Sequence, residues 1–262
     1  MDVCSLARKL DIPSEVVLRL SSVPEAQPFL KGLCSAEYEK AASALHEALG
    51  SDEGGYKILS AMLEAALLTR EEYAVRGISE EIYLSTMGCF PRFIREHRES
   101  FGVYGFDRWW WTGRQTSLQL FRIGALEYEL CTENGKKLIS VHIPSDAVLS
   151  EANVDNSLIS ARAFLKKYFP EYGDAEFHCC SWLLSPALGE LLPADSRINR
   201  FRTRFELLGV DENADDYKLW VYKNSSLSID EFPETTTLQR VMKAFLMRGG
   251  KVGCAWGIIR DP

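Results

Sequence analysis

The chain has 262 residues, of which 46% are hydrophobic, and this supply of apolar side chains is enough for one large core or two smaller ones. Aspartate and glutamate outnumber lysine and arginine by 37 to 30, giving a net charge of −7. That balance argues against binding the phosphate backbone of a nucleic acid as the main activity. We therefore expect a globular protein with no nucleic-acid partner.

The first ten residues carry charges at Asp2, Arg8 and Lys9, which leave no apolar core of signal-peptide length. The longest apolar run, residues 61–68, is interrupted by Glu64 and is too short to span a bilayer. We therefore expect a cytoplasmic protein with no membrane partner. The seven cysteines are scattered and lack C-x-x-C spacing, which predicts reduced thiols and no metal site.

Residues 1–100 show the periodicity of helices. Apolar residues recur at i, i+3, i+4 and i+7 from Ala41 to Leu49, and Gly50 ends that helix. Further helices are predicted over 56–68, from Ser79 onward and from Pro91 to about residue 100. This half of the chain shows no strand pattern.

The pattern changes after Phe101, where glycines break the chain and Trp109–Trp111 opens a region of short β-type runs. We therefore place a domain boundary between residues 108 and 109. Antiparallel strands are predicted over 116–122, 125–131 and 137–143. The run Glu133-Asn134-Gly135 is a strong hairpin signal between the last two.

A crossover helix is predicted over 157–169, ending at Pro170, followed by a strand over 176–184. A strand, helix and strand in this order make the two strands parallel. The remaining predictions are a helix over 196–208 closed by Gly209, a strand over 217–223, a helix over 238–247 and a strand over 252–259. The predicted fold class is α/β (α+β), with an all-helical domain over 1–108 and a mixed β-sheet domain over 109–262.

This order of elements is similar to that of GNAT acyltransferases, the coenzyme-A-dependent N-acyltransferases. The run NRFRTRFELLGV from Asn199 resembles a GNAT helix at Asn199, Phe205, Leu208 and Gly209, with Arg202 in place of a small residue and Phe205 in place of a tyrosine. The whole chain also resembles bacterial N-acyltransferases with a helical N-terminal domain and a GNAT-like C-terminal domain. The segment WWWTGRQTSLQLFR at 109–122 carries that resemblance most clearly.

The resemblance implies an enzyme that moves an acyl group, with acetyl expected, from acyl-CoA to the amine of a small molecule or peptide. Direct attack within a ternary complex is the implied mechanism. An alternative is a degenerate GNAT-like module that binds a ligand or protein partner without turnover. Two departures motivate it: Phe205 cannot donate a proton, and the family's glycine-containing phosphate signature is missing from 144–156.

The resemblance also implies a place for acyl-CoA. Pantetheine would pair with backbone at His142, Ile143 and Ser145, and the pyrophosphate would lie on helix N-terminal amides at Asn156 and Ser157. Acidic side chains in the same stretch would repel a phosphate; they are Asp146, Glu151 and Asp155.

The densest basic cluster lies on the predicted helix that contains Asn199. Arg197, Arg200 and Arg204 are spaced i, i+3 and i+7, which places them on one helix face. Together with Asn199, they are candidates to bind the phosphates of the cofactor or an acidic substrate. The alternative is a solvated face that pairs with Asp195 and Glu206.

Amine attack on a thioester requires a base for the ammonium proton and an acid for the thiolate. His142 is the candidate base, with Glu129 and Glu127 as rivals, whereas a histidine satisfied within the sheet and solvent-facing carboxylates are the structural alternatives. Cys179 and Cys180 offer a remote alternative, in which one thiol of lowered pKa acts as nucleophile.

The tryptophan triplet offers a candidate site for the acceptor or acyl group. Trp110, Trp111 and Arg114 combine aromatic surface with a cation, as ligand sites at domain junctions often do. Packing between domains is the equally weighted alternative, because tryptophans serve it as well.

Overall fold

The computed structural model describes residues 1–259. The chain divides into two compact units, with the division between Arg122 and Ile123. A helical N-terminal region is followed by a region built on a mixed six-stranded sheet, which confirms the predicted fold class.

The first unit is helical throughout its described length until the first strand begins at Leu120. Its helices are α1 (Val3–Lys9), α2 (Ser14–Val17), α3 (Leu30–Leu33), α4 (Tyr38–Leu49), α5 (Tyr56–Arg76), α6 (Glu80–Met87), α7 (Cys89–Phe101) and α8 (Trp109–Thr116). The central helix is α5, which contacts α1, α3, α4, α6 and α8. Gly77, with φ of 72°, ends it in the left-handed conformation that glycine adopts readily.

The segment predicted to open the strand region is helical at its start. Residues Trp109–Thr116 form α8, which contacts α4 and α5 through a face of small residues. Thr116 Oγ1 donates to the carbonyl of Leu33 at 2.8 Å, and Thr69 Oγ1 donates to the carbonyl of Thr116 at 2.5 Å. These contacts keep α8 in the first unit, so the division falls after the helix, whereas the predicted boundary between 108 and 109 lies before it.

The second unit contains most of the sheet and the helices that cover it. In chain order the elements are β1 (Leu120–Ile123), β2 (Leu126–Glu133), β3 (Lys136–His142), α9 (Glu151–Tyr168), β4 (Glu176–Ser181), α10 (Pro186–Leu191), α11 (Arg197–Arg202), β5 (Phe205–Asp211), α12 (Tyr217–Val221), α13 (Thr237–Met247) and β6 (Cys254–Ile259). Strand β1 carries the chain from one unit into the other. The strand order is β1-β2-β3-β4-β6-β5.

The predicted hairpin between β2 and β3 is present. Asn134 and Gly135 have φ of 50° and 79°, the pair of left-handed conformations that a two-residue type I′ turn needs. Glu133 faces Lys136 across the turn, and the pairing continues to Glu127 opposite His142.

Strands β3 and β4 are parallel, as the crossover through α9 requires, but they pair over only three positions. The last paired residues are Ser140 and His178, whereas β3 continues to His142 and β4 to Ser181. The carboxyl ends of the two strands therefore separate. Beyond that point β4 pairs with β6 on its other side, antiparallel, from Phe177 to Ser181.

Two predictions in the last third of the chain are wrong. The helix expected over 196–208 ends at Arg202, and residues 205–211 form β5, whose hydrogen bonds come from antiparallel pairing with β6. Residues 217–223 were expected as a strand, but Tyr217–Val221 is helical because its aromatic and aliphatic side chains pack with α13 in one apolar cluster.

Gly209 lies inside β5 rather than at a helix end. A Cβ atom at this position would collide with the ring of Trp256 on β6, so the glycine allows the indole to pack closely here and does not cap a helix. The pairing of β5 with β6 is irregular between Leu207 and Gly209, as at a β-bulge.

The crossover helix begins earlier than predicted. Ser150 is its N-cap, with Oγ accepting from the Asn153 N–H at 3.3 Å, and the helix runs from Glu151. The polar residues 151–156, expected in a loop, therefore form its first turns. Within residues 1–259, no helix combines the length and the apolar character needed to cross a bilayer.

Candidate active site

Two side chains on neighbouring strands of the sheet form a hydrogen-bonded pair. Glu129 on β2 and His142 on β3 are diagonal neighbours in the antiparallel register, so their side chains lie on the same face of the sheet. Glu129 Oε2 lies 2.7 Å from His142 Nε2, and the two side chains are 14% and 22% exposed. The structure thus brings together the two residues that the sequence singled out as candidate catalytic groups.

The register places a second carboxylate directly opposite the histidine. Glu127 faces His142 across the β2–β3 pair and is almost fully buried. Tyr128, between the two glutamates, points to the other side of the sheet and is also buried. The prediction that these strand carboxylates could simply face solvent is wrong, because the side chains of Glu127 and Glu129 are both largely buried.

The pair lies at the end of β3, where β3 and β4 separate. His142 comes two positions after Ser140, the last residue of β3 that pairs with β4. Ile143 and Ser145 continue from the strand into the connection that leads to Ser150 at the start of α9. The parallel β3–β4 register therefore ends two residues before His142.

The positions expected to bind pyrophosphate do not lie at a helix N-terminus. Asn156 and Ser157 are in the second turn of α9 because the helix begins at Glu151. Ser157 is buried, with Oγ donating to the Ile123 carbonyl at 2.5 Å and accepting from the Leu126 N–H at 3.2 Å. The side chain of Ser157 thus fastens α9 to the sheet, and the assignment of Ser157 to the cofactor is corrected.

Two arginines, one in α11 and one just after its end, pair with acidic residues at the start of α9. Arg200 lies 3.3 Å from Glu151, and Arg204 hydrogen-bonds Asp155. The hydrogen bond from Arg204 lowers the pKa of Asp155 below its usual range. These partners differ from Asp195 and Glu206, which the alternative of a solvated face had suggested. Two of the three acidic residues expected to repel phosphate are therefore paired with arginines expected to attract it.

Asn199 has a structural role. Its side chain is buried, and Nδ2 donates to the carbonyls of Leu192 and Pro193, each at 2.9 Å. These bonds tie α11 to the segment before it. Phe205, at the position where the resemblance implies a tyrosine, is buried against Phe201 with ring centroids 5.2 Å apart. Neither residue offers a group for proton transfer or phosphate binding.

A small pocket of about 200 Å³ lies within the first unit, between α4 and α8. Its lining residues are Glu39, Ala42, Ser43, Trp109, Trp110 and Arg114. Trp110 is 39% exposed, and the Arg114 guanidinium lies 4.6 Å from the ring centroid of Trp111. Trp110 and Arg114, two of the three predicted substrate residues, thus border one pocket. Sequence reasoning missed Glu39, which lies 3.7 Å from Arg114.

Cys179 and Cys180 point to opposite sides of β4, as expected for neighbours on a strand. Cys179 is buried, and burial raises the pKa of its thiol. Cys180 is exposed and lies 3.3 Å from Cys254 on β6, sulfur to sulfur. Among residues 1–259, no three histidine, cysteine or acidic side chains gather as metal ligands would.

The order of strands, the crossover helix between β3 and β4 and the separation of those strands define a GNAT-like domain. Residues 120–259 match the GNAT-like C-terminal domain family, and residues 1–118 match the N-acyltransferase N-terminal domain family. The chain belongs to this family of N-acyltransferases with a GNAT-like C-terminal domain. No curated protein matches the sequence.

Solved structures of acyltransferases share the fold over nearly the whole chain. One, a mutant acyltransferase in complex with octanoyl-CoA, is 25% identical, with 98% of this chain and 87% of that chain covered and a TM-score of 0.82. An acyltransferase in complex with decanoyl-CoA is 24% identical over the same shares, with a TM-score of 0.81. A third, in complex with decanoyl-CoA and teicoplanin, is 23% identical, with both chains fully covered and a TM-score of 0.76.

Proposed function

We propose that this protein is an acyl-CoA-dependent N-acyltransferase that joins an acyl group to an amine by direct attack. The observation that carries the proposal is the Glu129–His142 pair at the point where β3 and β4 separate. The end of the β3–β4 register lies beside this pair, and a histidine held by a carboxylate is suited to moving a proton.

His142 would act as the base. When Nε2–H donates to the Glu129 carboxylate, the neutral imidazole keeps its lone pair on Nδ1. Nδ1 takes a proton from the amine as the amine nitrogen bonds to the thioester carbon and the carbon–sulfur bond breaks. The histidine then returns that proton to the thiolate, which replaces the tyrosine acid that Phe205 cannot supply. Glu129 fixes the tautomer and stabilises the transient imidazolium.

Acyl-CoA would bind along the end of β3 and the start of α9. The pantetheine arm would pair with backbone at His142, Ile143 and Ser145, and the phosphates would lie near the first amides of α9, with Arg200 and Arg204 beside them. The ion pairs with Glu151 and Asp155 hold these arginines at the helix start. A phosphate would compete with those carboxylates for the same guanidinium groups.

The acyl group is proposed to be of medium length rather than acetyl. The solved neighbours contain octanoyl-CoA and decanoyl-CoA, and the neighbour with octanoyl-CoA covers 98% of this chain. A medium-length chain also gains more from apolar burial than acetyl does, by about 0.8 kcal/mol per methylene.

The acceptor is proposed to be an amine carried by a larger molecule of the small-molecule or peptide class. One neighbour's structure contains teicoplanin, which supports a glycopeptide-sized acceptor. The pocket between α4 and α8 combines the exposed indole of Trp110 with the cation of Arg114 and the carboxylate of Glu39. Trp111, on the same helix, stacks with Arg114. Such a combination suits stacking on a ring together with hydrogen bonds to polar groups.

The test is turnover with a matched set of donors and acceptors. Purified protein is mixed with acetyl-, octanoyl- or decanoyl-CoA and a panel of amines that includes amino sugars and glycopeptides. Thiol release and the mass of the acylated product are measured together. Amine-dependent thiol release with the longer donors supports the proposal. Tight acyl-CoA binding with no product from any amine would favour the alternative of a binding module without turnover.

A further inference from the structure

Two cysteines on adjacent strands face each other at the carboxyl end of β4. Cys180 lies opposite Trp256 in the antiparallel β4–β6 register, and Cys254 is two residues before Trp256 on the same strand. This diagonal relation puts both thiols on one face of the sheet, with their sulfur atoms 3.3 Å apart.

The two thiols differ in their access to solvent. Cys180 is exposed, whereas Cys254 is 4% exposed. Cys179, next to Cys180, is buried on the opposite face of β4 and cannot reach either sulfur without strand rotation. A dissolved oxidant would therefore react with Cys180 first, and Cys254 is the thiol close enough to react next with the oxidised Cys180.

The contact also makes Cys180 the more reactive thiol. The hydrogen bond from Cys254 lowers the pKa of Cys180 to about 7, against opposing effects of burial and of the Asp216 carboxylate. Donating that hydrogen bond, together with burial, raises the pKa of Cys254, which stays protonated. Near neutral pH the pair therefore holds one accessible thiolate and one buried thiol, and the thiolate is the nucleophilic form.

We propose that Cys180 and Cys254 form a redox-active dithiol that a hydroperoxide converts into a disulfide. The Cys180 thiolate attacks the peroxide, the oxygen–oxygen bond breaks, and Cys180 becomes a sulfenic acid while hydroxide or alkoxide leaves. The Cys254 thiol then attacks the Cys180 sulfur, the sulfur–oxygen bond breaks, and water leaves. In sum, two thiols are oxidised to one disulfide and one hydroperoxide is reduced to an alcohol, or to water, plus water.

The two sulfur atoms already lie 3.3 Å apart. A disulfide has sulfurs about 2.05 Å apart, so they must approach by about 1 Å for the bond to form. The ladder between β4 and β6, which includes Ser181 opposite Ala255, holds the two strands in register. Oxidation is independent of acyl transfer, so its failure and that of the proposed function are distinguishable.

The first experiment maps the products of oxidation in the full chain. Reduced protein is treated with one equivalent of hydrogen peroxide, alkylated, digested without reductant and analysed by mass spectrometry. We expect a linked Cys180–Cys254 peptide pair that disappears after dithiothreitol, in wild type and in the control Cys179→Ser. In Cys254→Ala the expected product is a dimedone-trapped sulfenic acid at Cys180. Oxidation of Cys180 in wild type with Cys254 still free to alkylate would overturn the proposal.

The second measurement follows iodoacetamide labelling of Cys180 against pH. Because it compares wild type with two different variants, the test remains usable if one of them folds poorly. In wild type the midpoint is expected near 7, and in Cys254→Ala it should rise because the thiol donor is gone. Asp216→Asn should lower the midpoint, because the opposing carboxylate is removed. Equal midpoints in wild type and Cys254→Ala would contradict the proposed thiol–thiolate pair.

Discussion

Glu129 Oε2 and His142 Nε2 lie 2.7 Å apart on neighbouring antiparallel strands. The two residues are 13 positions apart in sequence, and the tight Asn134-Gly135 turn sets the register that brings them together. The hairpin signal in the sequence is therefore also what assembles the proposed catalytic pair.

His142→Ala is expected to lower kcat for acyl transfer by about 10²–10⁴-fold, the usual contribution of a positioned general base. Acyl-CoA affinity should change little, because pantetheine is proposed to pair with backbone. The control is His97→Gln, whose ring contacts the Val103 carbonyl in the first unit. Loss of activity in both variants alike would show a structural effect instead.

Glu129→Gln separates positioning from proton transfer. The amide keeps a hydrogen-bond acceptor for Nε2–H but removes the charge that stabilises the imidazolium. We expect a smaller loss of kcat than in His142→Ala, measured by steady-state kinetics at saturating donor and acceptor. A kcat equal to that of wild type would remove Glu129 from the mechanism.

Glu151→Gln is expected to tighten CoA binding by about two- to fivefold at low salt, since it removes a negative charge from a helix N-terminus and releases Arg200. Arg204→Ala should weaken CoA binding. Both effects should be absent when pantetheine, which lacks the nucleotide phosphates, is titrated in the same buffer. Equal effects on CoA and pantetheine would place the phosphates elsewhere.

Ser157→Ala is expected to lower the free energy of unfolding by about 1–3 kcal/mol, because the buried hydroxyl accepts from the Leu126 N–H and bonds the Ile123 carbonyl and the Tyr128 hydroxyl. Ser160→Ala, on the exposed face of the same helix, is the matched control. Urea unfolding checks this. A destabilisation confined to the control would refute the role given to Ser157.

Trp110→Ala is expected to raise KM for the acceptor by about tenfold, the cost of losing one aromatic anchor. Trp256→Ala removes an indole of similar exposure, 41% against 39%, from a strand outside the pocket. That variant should keep the acceptor KM of wild type. Steady-state kinetics with the acceptor varied at saturating donor make the comparison.

The order of most elements could be predicted from local pattern, because caps, turns and the crossover leave clear signals. The segment 205–211 could not be. Phe201, Phe205 and Leu208 have helical spacing, and only pairing with β6, about 50 residues later, makes this segment a strand. The start of α9 could have been predicted, because Ser150 is an N-cap residue three positions before Asn153, whose N–H donates to its side chain.

The candidate site was predicted in part. Glu129 and His142 stood out because few residue types move protons, whereas their position on one face follows from the β2–β3 register of the structure. The pairing of Arg200 with Glu151 and of Cys180 with Cys254 depends on contacts 49 and 74 residues apart, which one sequence does not reveal. Asn199 and Ser157 were assigned to the cofactor by resemblance, whereas their hydrogen bonds hold helices in place.

Calorimetric titration with CoA, acetyl-CoA and octanoyl-CoA, with ATP as the control nucleotide, tests the central claim most directly. The proposed function predicts micromolar binding of CoA, tighter binding of octanoyl-CoA than of acetyl-CoA, and no comparable binding of ATP. Absence of binding by every CoA species would contradict an acyl-CoA site between the ends of β3 and β4.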